Sequence, residues 1–296
     1  MKKLLALALT ALSLTACSSA PALLPTANRM PINSLRAAAA APQSNLQELL
    51  PLLREIFKNE LADGLQPGQP TPDINLVLEQ KGPMAFKLLG QDAAARRSLY
   101  PYADQKVISE FNKPSPSDNV PAVTPQDIQA LLPRLQPGDV ILCGNDKSFV
   151  HGALYLGRGE IVHALATQPD MHDRFRGVVK ESLSTYISRS ERDTFVILRA
   201  KGQSSVNFTP AFNYAVAQVG KQYDSLFLLQ NDERLYCTEL VWSALRKLAR
   251  PPRVLPHAVK YGWEMVTVED FMDSPDLETV WTRNYARPPV GRLHRY

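Results

Sequence analysis

The residues with the clearest chemical potential are one cysteine and two histidines. Cys237 lies in the segment LYCTELVW at 235–242. His151 and His163 lie upstream, in the stretch VHGALYLGRGEIVHA at 150–164. A cysteine attacks a carbonyl as its thiolate, and a helix N-terminus or a nearby imidazolium favours that form and lowers the thiol pKa. These residues therefore predict a cysteine hydrolase or an acyltransferase that forms an acyl-enzyme.

The nucleophile is expected to open an amphipathic helix. Apolar residues recur after Cys237 at helical spacing, with Glu239 in the first turn and basic residues from Arg246 onward in the last. Both ends suit the helix dipole, and the prolines at 251–252 are predicted to end the helix. The N–H groups of the first turn, that of Cys237 above all, are candidate oxyanion donors, and Tyr236 is predicted to line the cleft.

The two histidines are expected on one β-hairpin. Apolar residues alternate on both sides of a predicted three-residue loop at 157–159. That loop pairs Ala153 with His163 and places His151 diagonally across from His163 on the same face, within roughly 7–8 Å. The alternative for His163 is a buried histidine with a purely structural role.

Five segments, taken in order, resemble a known family. They are GDVIL at 138–142, HGALYLG at 151–157, VHA at 162–164, GKQYD at 220–224 and YCTELVW at 236–242. Their order resembles that of the circularly permuted papain-like amidases of the NlpC superfamily, YiiX/YebB-like branch, with a further similarity to lecithin retinol acyltransferase. The resemblance covers about residues 137–285. It implies an α+β fold in which a small antiparallel β-barrel packs against the helix that carries the nucleophile.

The resemblance also implies a role for each candidate residue. Cys237 takes the position of the nucleophile, His151 that of the base and His163 that of the third polar residue. It implies no cofactor. Many bacterial members carry a carboxylate at the third position, so His163 leans toward the acyltransferase pattern. A zinc site of His151, His163 and Cys237 is conceivable by residue type, but no closely spaced ligand pair supports it.

The N-terminus predicts a lipoprotein of the bacterial cell envelope. Lys2 and Lys3 precede a short apolar run, and the residues at 14–17, LTAC, resemble a lipobox. Residues 1–16 would be removed and Cys17 would carry the lipid. Ser18 then implies the outer membrane in a Gram-negative organism, with stable anchoring by several acyl chains. The alternative is an ordinary signal peptide with a chance cysteine.

The remaining chain divides by composition. Residues 17–43 are rich in Ala and Pro and predict a flexible tether. Residues 44–135 predict a helical extension, with an apolar stripe at 45–65 and a further helical piece near 84–112. Residues 136–296 predict the catalytic domain, and the whole is of the α+β class.

The formal net charge and the cysteines limit the classes of function that the sequence allows. Loss of residues 1–16 leaves 31 basic against 29 acidic residues, a formal charge of +2 in place of +4, which does not favour nucleic-acid binding. Three functions stay open: hydrolysis of a peptide amide such as a peptidoglycan stem, ester cleavage or acyl transfer on a lipid, and non-catalytic binding. In the last, a disulfide between Cys143 and Cys237 would consume the nucleophile.

Overall fold

The structure is a computed structural model of the 296-residue chain. It describes residues 50–51, 53–54, 74–111, 121–145, 148–166, 177–190, 192–229, 233–258 and 263–285. The predicted signal peptide, Cys17 and the tether lie outside the described residues, as does most of the predicted helix at 45–65. Within the described ranges, no helix combines the length and apolar character needed to cross a membrane.

The described chain forms two compact units, divided near Lys106. The smaller unit contains helix α1 (Ile74–Gln91) and most of helix α2 (Ala93–Phe111). The sequence predicts one helical piece near 84–112, whereas the structure has two helices that meet at Asp92. The carboxylate of Asp92 accepts a hydrogen bond from the N–H of Ala95 at 3.0 Å. Aspartate favours helix starts for this reason, so α2 begins anew there.

The larger unit is built on an eight-stranded, curled sheet of half-barrel form, in the order β10-β5-β1-β2-β3-β4-β6-β7. All neighbours in it are antiparallel except β6 and β7, which are parallel. Its strands are β1 (Val140–Asn145), β2 (Ser148–Gly157), β3 (Glu160–Leu165), β4 (Gly177–Ser182), β5 (Thr194–Ala200), β6 (Gln222–Tyr223), β7 (Arg234–Leu235) and β10 (Leu277–Arg283). Strands β8 (His257–Ala258) and β9 (Glu264–Met265) lie outside this sheet.

Five α-helices accompany the sheet in the described part of this unit. They are α3 (Pro125–Leu131), α4 (Leu183–Arg189), α5 (Thr209–Ala217), α6 (Cys237–Leu245) and α7 (Val268–Met272), with 3-10 turns at Leu132–Arg134 and Ser205–Phe208. Apolar side chains of α3 and α4 join those of β1, β2, β3 and β5 in one buried core. The predicted α+β class is confirmed.

The hairpin of β2 and β3 keeps the predicted pairing of Ala153 with His163. Its turn differs from the prediction: Gly157, and not Leu156, pairs with Glu160. Arg158 and Gly159 both have positive φ, 53° and 80°, the backbone of a two-residue hairpin turn. Leu156 is accommodated by a shift of register, so the pairing farther along is unchanged.

Helix α6 begins at Cys237 as predicted but ends at Leu245, before the predicted stop at 251–252. Arg246 therefore follows the helix instead of lying in its last turn. The amphipathic pattern is also wrong for most of its length, because every residue of α6 except Ser243 is buried. The helix packs against both α5 and the strands β2 and β3, which leaves little of its surface for solvent.

Candidate active site

The Cys237 thiol lies where the start of α6 meets strand β2. The backbone N–H groups of Gly152 and Thr238 and the hydroxyl of Tyr223 hydrogen-bond to its sulfur. A Cβ atom at Gly152 would lie 3.3 Å from Cγ2 of Thr238 and 4.0 Å from its Cα. The absent side chain at Gly152 is what lets the helix start approach the strand so closely, and it brings the sulfur next to the residue that follows His151.

The environment of this thiol opposes its ionisation. Cys237 is only 3% exposed. Burial raises the pKa of the Cys237 thiol, while the N–H groups of Gly152 and Thr238 and the Tyr223 hydroxyl act in the opposite direction. The net pKa lies above the ordinary value, so the expectation of a lowered pKa is wrong. Desolvation outweighs the helix terminus here, and formation of the thiolate needs a base.

The two candidate histidines lie together. Nε2 of His151 is 2.8 Å from Nδ1 of His163, and the ring centroids are 5.0 Å apart. Nε2 of His163 is 2.7 Å from Oε1 of Glu181 on β4. His163 is fully buried, whereas the Glu181 side chain is 12% exposed. The three side chains form one continuous hydrogen-bonded series that runs from His151 through His163 to the partly exposed Glu181.

This chain of hydrogen bonds dictates where the imidazole protons lie. An ionised Glu181 only accepts hydrogen bonds, so Nε2 of His163 must donate to it. The other nitrogen of a neutral His163, Nδ1, then accepts from Nε2–H of His151. Nδ1 of a neutral His151 is consequently the unprotonated, basic nitrogen. The arrangement presets one tautomer of His151, as the orienting group of a catalytic triad does.

Glu181 was missed by sequence analysis, although the signal was present. Residues 177–189 form strand β4 and helix α4, and the sequence analysis did not pair this strand with its neighbours. In the structure His163 pairs with Val179, so Glu181, two residues farther along, lies diagonally across on the same face. Pairing β4 with β3 would have brought this carboxylate to His163.

The two tyrosines near the thiol have different surroundings from those predicted. Tyr236 is 1% exposed, and its hydroxyl accepts a hydrogen bond from the N–H of Val266 at 2.9 Å. It supports the start of α6 from within the core, whereas sequence analysis predicted that it lines the cleft. Tyr223, from the GKQYD segment, is the tyrosine whose hydroxyl contacts the Cys237 sulfur. In the sequence alone, the GKQYD segment carries only the family resemblance.

Tyr186 links the histidines to the second thiol. Its ring packs against both imidazoles, with centroids 5.2 Å from that of His151 and 4.8 Å from that of His163. Its hydroxyl lies 3.5 Å from Sγ of Cys143. Cys143 and Cys237 are both free thiols. The disulfide that would have consumed the nucleophile is therefore absent from the structure.

A zinc site gains no support from this geometry. Among the residues that the structure describes, no group of three or more His, Cys, Asp or Glu side chains is arranged to hold a metal ion. The nitrogens of His151 and His163 that face each other are hydrogen-bonded together at 2.8 Å.

The two thiols are expected to differ in reactivity and in pH dependence. Burial raises the pKa of Cys143 to about 11, so about a thousandth of it is thiolate at pH 8. We expect iodoacetamide to label Cys237 well before Cys143 at pH 8. The labelling rate of Cys237 should rise from pH 6 to pH 9, because its raised pKa leaves little thiolate at pH 6. Peptide-resolved mass spectrometry measures both sites. Equal rates at the two cysteines, or a rate independent of pH, would contradict this expectation.

Comparisons with known proteins bear on the same region. A family model described as "Permuted papain-like amidase enzyme, YaeF/YiiX, C92 family" matches residues 134–281, half of the chain. The crystal structure of the metalloprotein YiiX from Escherichia coli O157:H7 is similar, with 20% sequence identity, a TM-score of 0.38, and coverage of 50% of this chain and 97% of that one. No curated protein matches the chain. Because the family model matches half of the chain, the protein belongs to the permuted papain-like amidases, a family of amidase or peptidase-like hydrolases.

Proposed function

We propose that the protein is a cysteine amidase that cleaves an amide bond in a peptide, with peptidoglycan stem peptides as the substrate class, through an acyl-enzyme at Cys237. The observation that carries the proposal is the hydrogen-bonded series His151–His163–Glu181, with hydrogen bonds of 2.8 Å and 2.7 Å. The Cys237 thiol, at a helix start, is hydrogen-bonded by the N–H of Gly152, the residue that follows His151. A buried structural cysteine has no need of a base in a preset tautomer, whereas a nucleophile has.

In the proposed reaction, Nδ1 of His151 removes the proton from Cys237 as the sulfur attacks the scissile carbonyl. The carbonyl oxygen becomes an oxyanion, for which the backbone N–H of Cys237 and the Tyr223 hydroxyl are the proposed donors. His151 then protonates the leaving amine, and the C–N bond breaks to give a thioester. Water, deprotonated by His151, hydrolyses the thioester and returns the thiol.

Glu181 and His163 act in this scheme as positioning residues. The imidazolium that forms on His151 gives a hydrogen bond to His163, which in turn holds its other proton on the carboxylate of Glu181. A negative charge at the end of the chain stabilises the transient positive charge on the imidazoles. The presence of a carboxylate next to His163 also weakens the argument that a histidine at this position favours acyl transfer, because the site combines both residue types.

The proposed location is the cell envelope, with a lipid on Cys17. Its support is the charged, apolar and small-residue order of residues 1–17. An envelope location would put the enzyme beside peptidoglycan, whose stem peptides contain amide bonds. Fractionation of a Cys17→Ser variant tests the anchor: the protein should leave the membrane fraction or remain as an unprocessed precursor, and fatty-acid labelling that persists would contradict it.

The function itself is tested by offering amide and ester substrates to the same protein. We expect wild-type protein to release peptide fragments with new amino groups from isolated peptidoglycan, and to leave phospholipid vesicles intact. Intact-mass analysis after rapid acid quench should show an acyl group on Cys237. Release of fatty acid, or a fatty acyl group on Cys237, would favour the lipid esterase or acyltransferase instead. No turnover of either class and no adduct would favour the binding protein.

A further inference from the structure

Arg192 lies beside the candidate active site. Among the described residues, no acidic side chain neutralises its positive charge. It precedes strand β5 and lies partly buried. Its Nη1 donates to Oδ1 of Asn145 at 2.7 Å, and its Nε lies 3.4 Å from the hydroxyl of Tyr186. Both partners are neutral. In the part of the chain that the structure describes, no carboxylate lies within ion-pair distance of this guanidinium.

The guanidinium keeps donors that these contacts do not use. It carries more N–H groups than the two hydrogen bonds need, and neither bond involves Nη2. Partly buried arginines usually meet a carboxylate, because a charge removed from water needs a compensating partner. By contrast, Arg199 of the same unit binds both carboxylate oxygens of Asp139, at 2.8 Å each. Arg192 has the donors of such a pair without the acid.

The position of Arg192 relates it to the proposed reaction centre. Asn145, its partner, lies two residues beyond Cys143 on β1, and Cys143 pairs with His151 on β2. Tyr186, its other partner, packs on both imidazoles. Burial disfavours the charge of Arg192, but interaction with Tyr186 and Cys143, and more weakly with Cys237, raises its pKa above the ordinary value. The guanidinium thus stays protonated beside a tyrosine whose ring packs on both candidate histidines.

We infer that Arg192 binds a carboxylate of the substrate, on a residue next to the scissile amide, and so selects acidic peptides over neutral ones. The inference rests on the proposed function, since it deepens the specificity of that same site. A carboxylate fits the unused donors because a guanidinium can hold both of its oxygens in a bidentate pair. Asn145 and Tyr186 orient the guanidinium before the substrate arrives, which reduces the entropy lost on binding.

The test compares two alkylating reagents that differ only in a carboxylate. N-Iodoacetylglycine carries one, a short reach beyond the reactive carbon, and N-iodoacetylglycinamide replaces it with a neutral amide. We expect the acid to label Cys237 of the wild-type protein about tenfold faster than the amide. The ratio of the labelling rate with the acid to that with the amide should fall to about one in Arg192→Gln and keep an intermediate value in Arg192→Lys. The exposed Arg250 supplies the matched control, and Arg250→Gln should retain the wild-type ratio.

The ratio separates substrate recognition from other effects of the arginine. Loss of a nearby cation also disfavours the Cys237 thiolate. That effect slows alkylation by both reagents equally, so it cancels in the ratio of the two rates. If Arg192→Gln fails to fold, Arg192→Lys should still lower the ratio, because an ammonium cannot hold both carboxylate oxygens as the planar guanidinium does.

A wild-type ratio near one, or a ratio unchanged in folded Arg192→Gln, overturns the role of Arg192 and leaves Cys237 as the nucleophile. Failure of both reagents to label Cys237 overturns the proposed function, and with it the inference.

Discussion

Cys237→Ser is expected to lower the rate of peptide-amide cleavage by at least about a thousandfold in a protein that remains folded. Serine keeps the size of the side chain and its hydrogen bonds to Gly152, Thr238 and Tyr223. It replaces a thiol by a hydroxyl that is far harder to ionise, so His151 has no readily deprotonated group on which to act. The measurement is the initial rate of fragment release from peptidoglycan or from a synthetic stem peptide.

The second free thiol provides the control for this experiment. Cys143→Ser changes the same atom in the same unit, and the new hydroxyl can keep the contact with the Tyr186 hydroxyl that Sγ makes at 3.5 Å. Its cleavage rate should stay within a few-fold of the wild-type rate. Cleavage that survives in Cys237→Ser, or that falls equally in both variants, would remove Cys237 from the reaction.

Much of this site was predictable because its signals are local in the sequence. The helix start at Cys237 follows from periodicity over a few turns, and the pairing of Ala153 with His163 follows from a short hairpin. Even an error in the turn at 157–159 did no harm, because the register shift at Leu156 restored the predicted pairing. Pairs related by one hairpin are determined by few residues, so local reasoning reaches them.

What sequence analysis missed depends on contacts between distant segments. Glu181 reaches His163 only once β4 is paired with β3, and Tyr223 reaches the sulfur only once β6 joins the sheet. The raised pKa of Cys237 has the same origin: the helix terminus that favours a thiolate is visible in the sequence, whereas the burial that outweighs it is a property of the packed fold. The fully buried helix α6 was likewise predicted as amphipathic because its partners, α5, β2 and β3, were not yet placed.

Removal of the negative charge in Glu181→Gln is expected to lower cleavage about tenfold at neutral pH and to move the acid limb of the pH profile to lower pH. The carboxylate stabilises the protonated form of the imidazole pair, so its loss lowers the pKa of that pair. The basic form of His151 then persists to lower pH, which sets the direction of the shift. The measurement is kcat/KM between pH 4 and pH 9.

A purely structural role for Glu181 would predict a different profile. Loss of a supporting hydrogen bond lowers activity at every pH and leaves the acid limb in place. The matched control is Glu160→Gln, on the strand that pairs with β4, where an exposed ion pair with Lys180 has a separation of 2.9 Å. This variant should keep the wild-type profile, because exposed pairs of this kind contribute little.

His163→Ala tests the central residue of the hydrogen-bonded series His151–His163–Glu181. We expect it to lower the cleavage rate on the order of a hundredfold, because His151 then loses the acceptor that presets its tautomer. His163→Asn should recover part of that loss, because its side-chain oxygen can accept the hydrogen bond from Nε2–H of His151. A cavity at this fully buried position also destabilises the sheet, so circular dichroism must show each variant folded. Full activity in folded His163→Ala, with no shift in Glu181→Gln, would reduce the site to Cys237 and His151 and leave Glu181 and His163 as a structural pair.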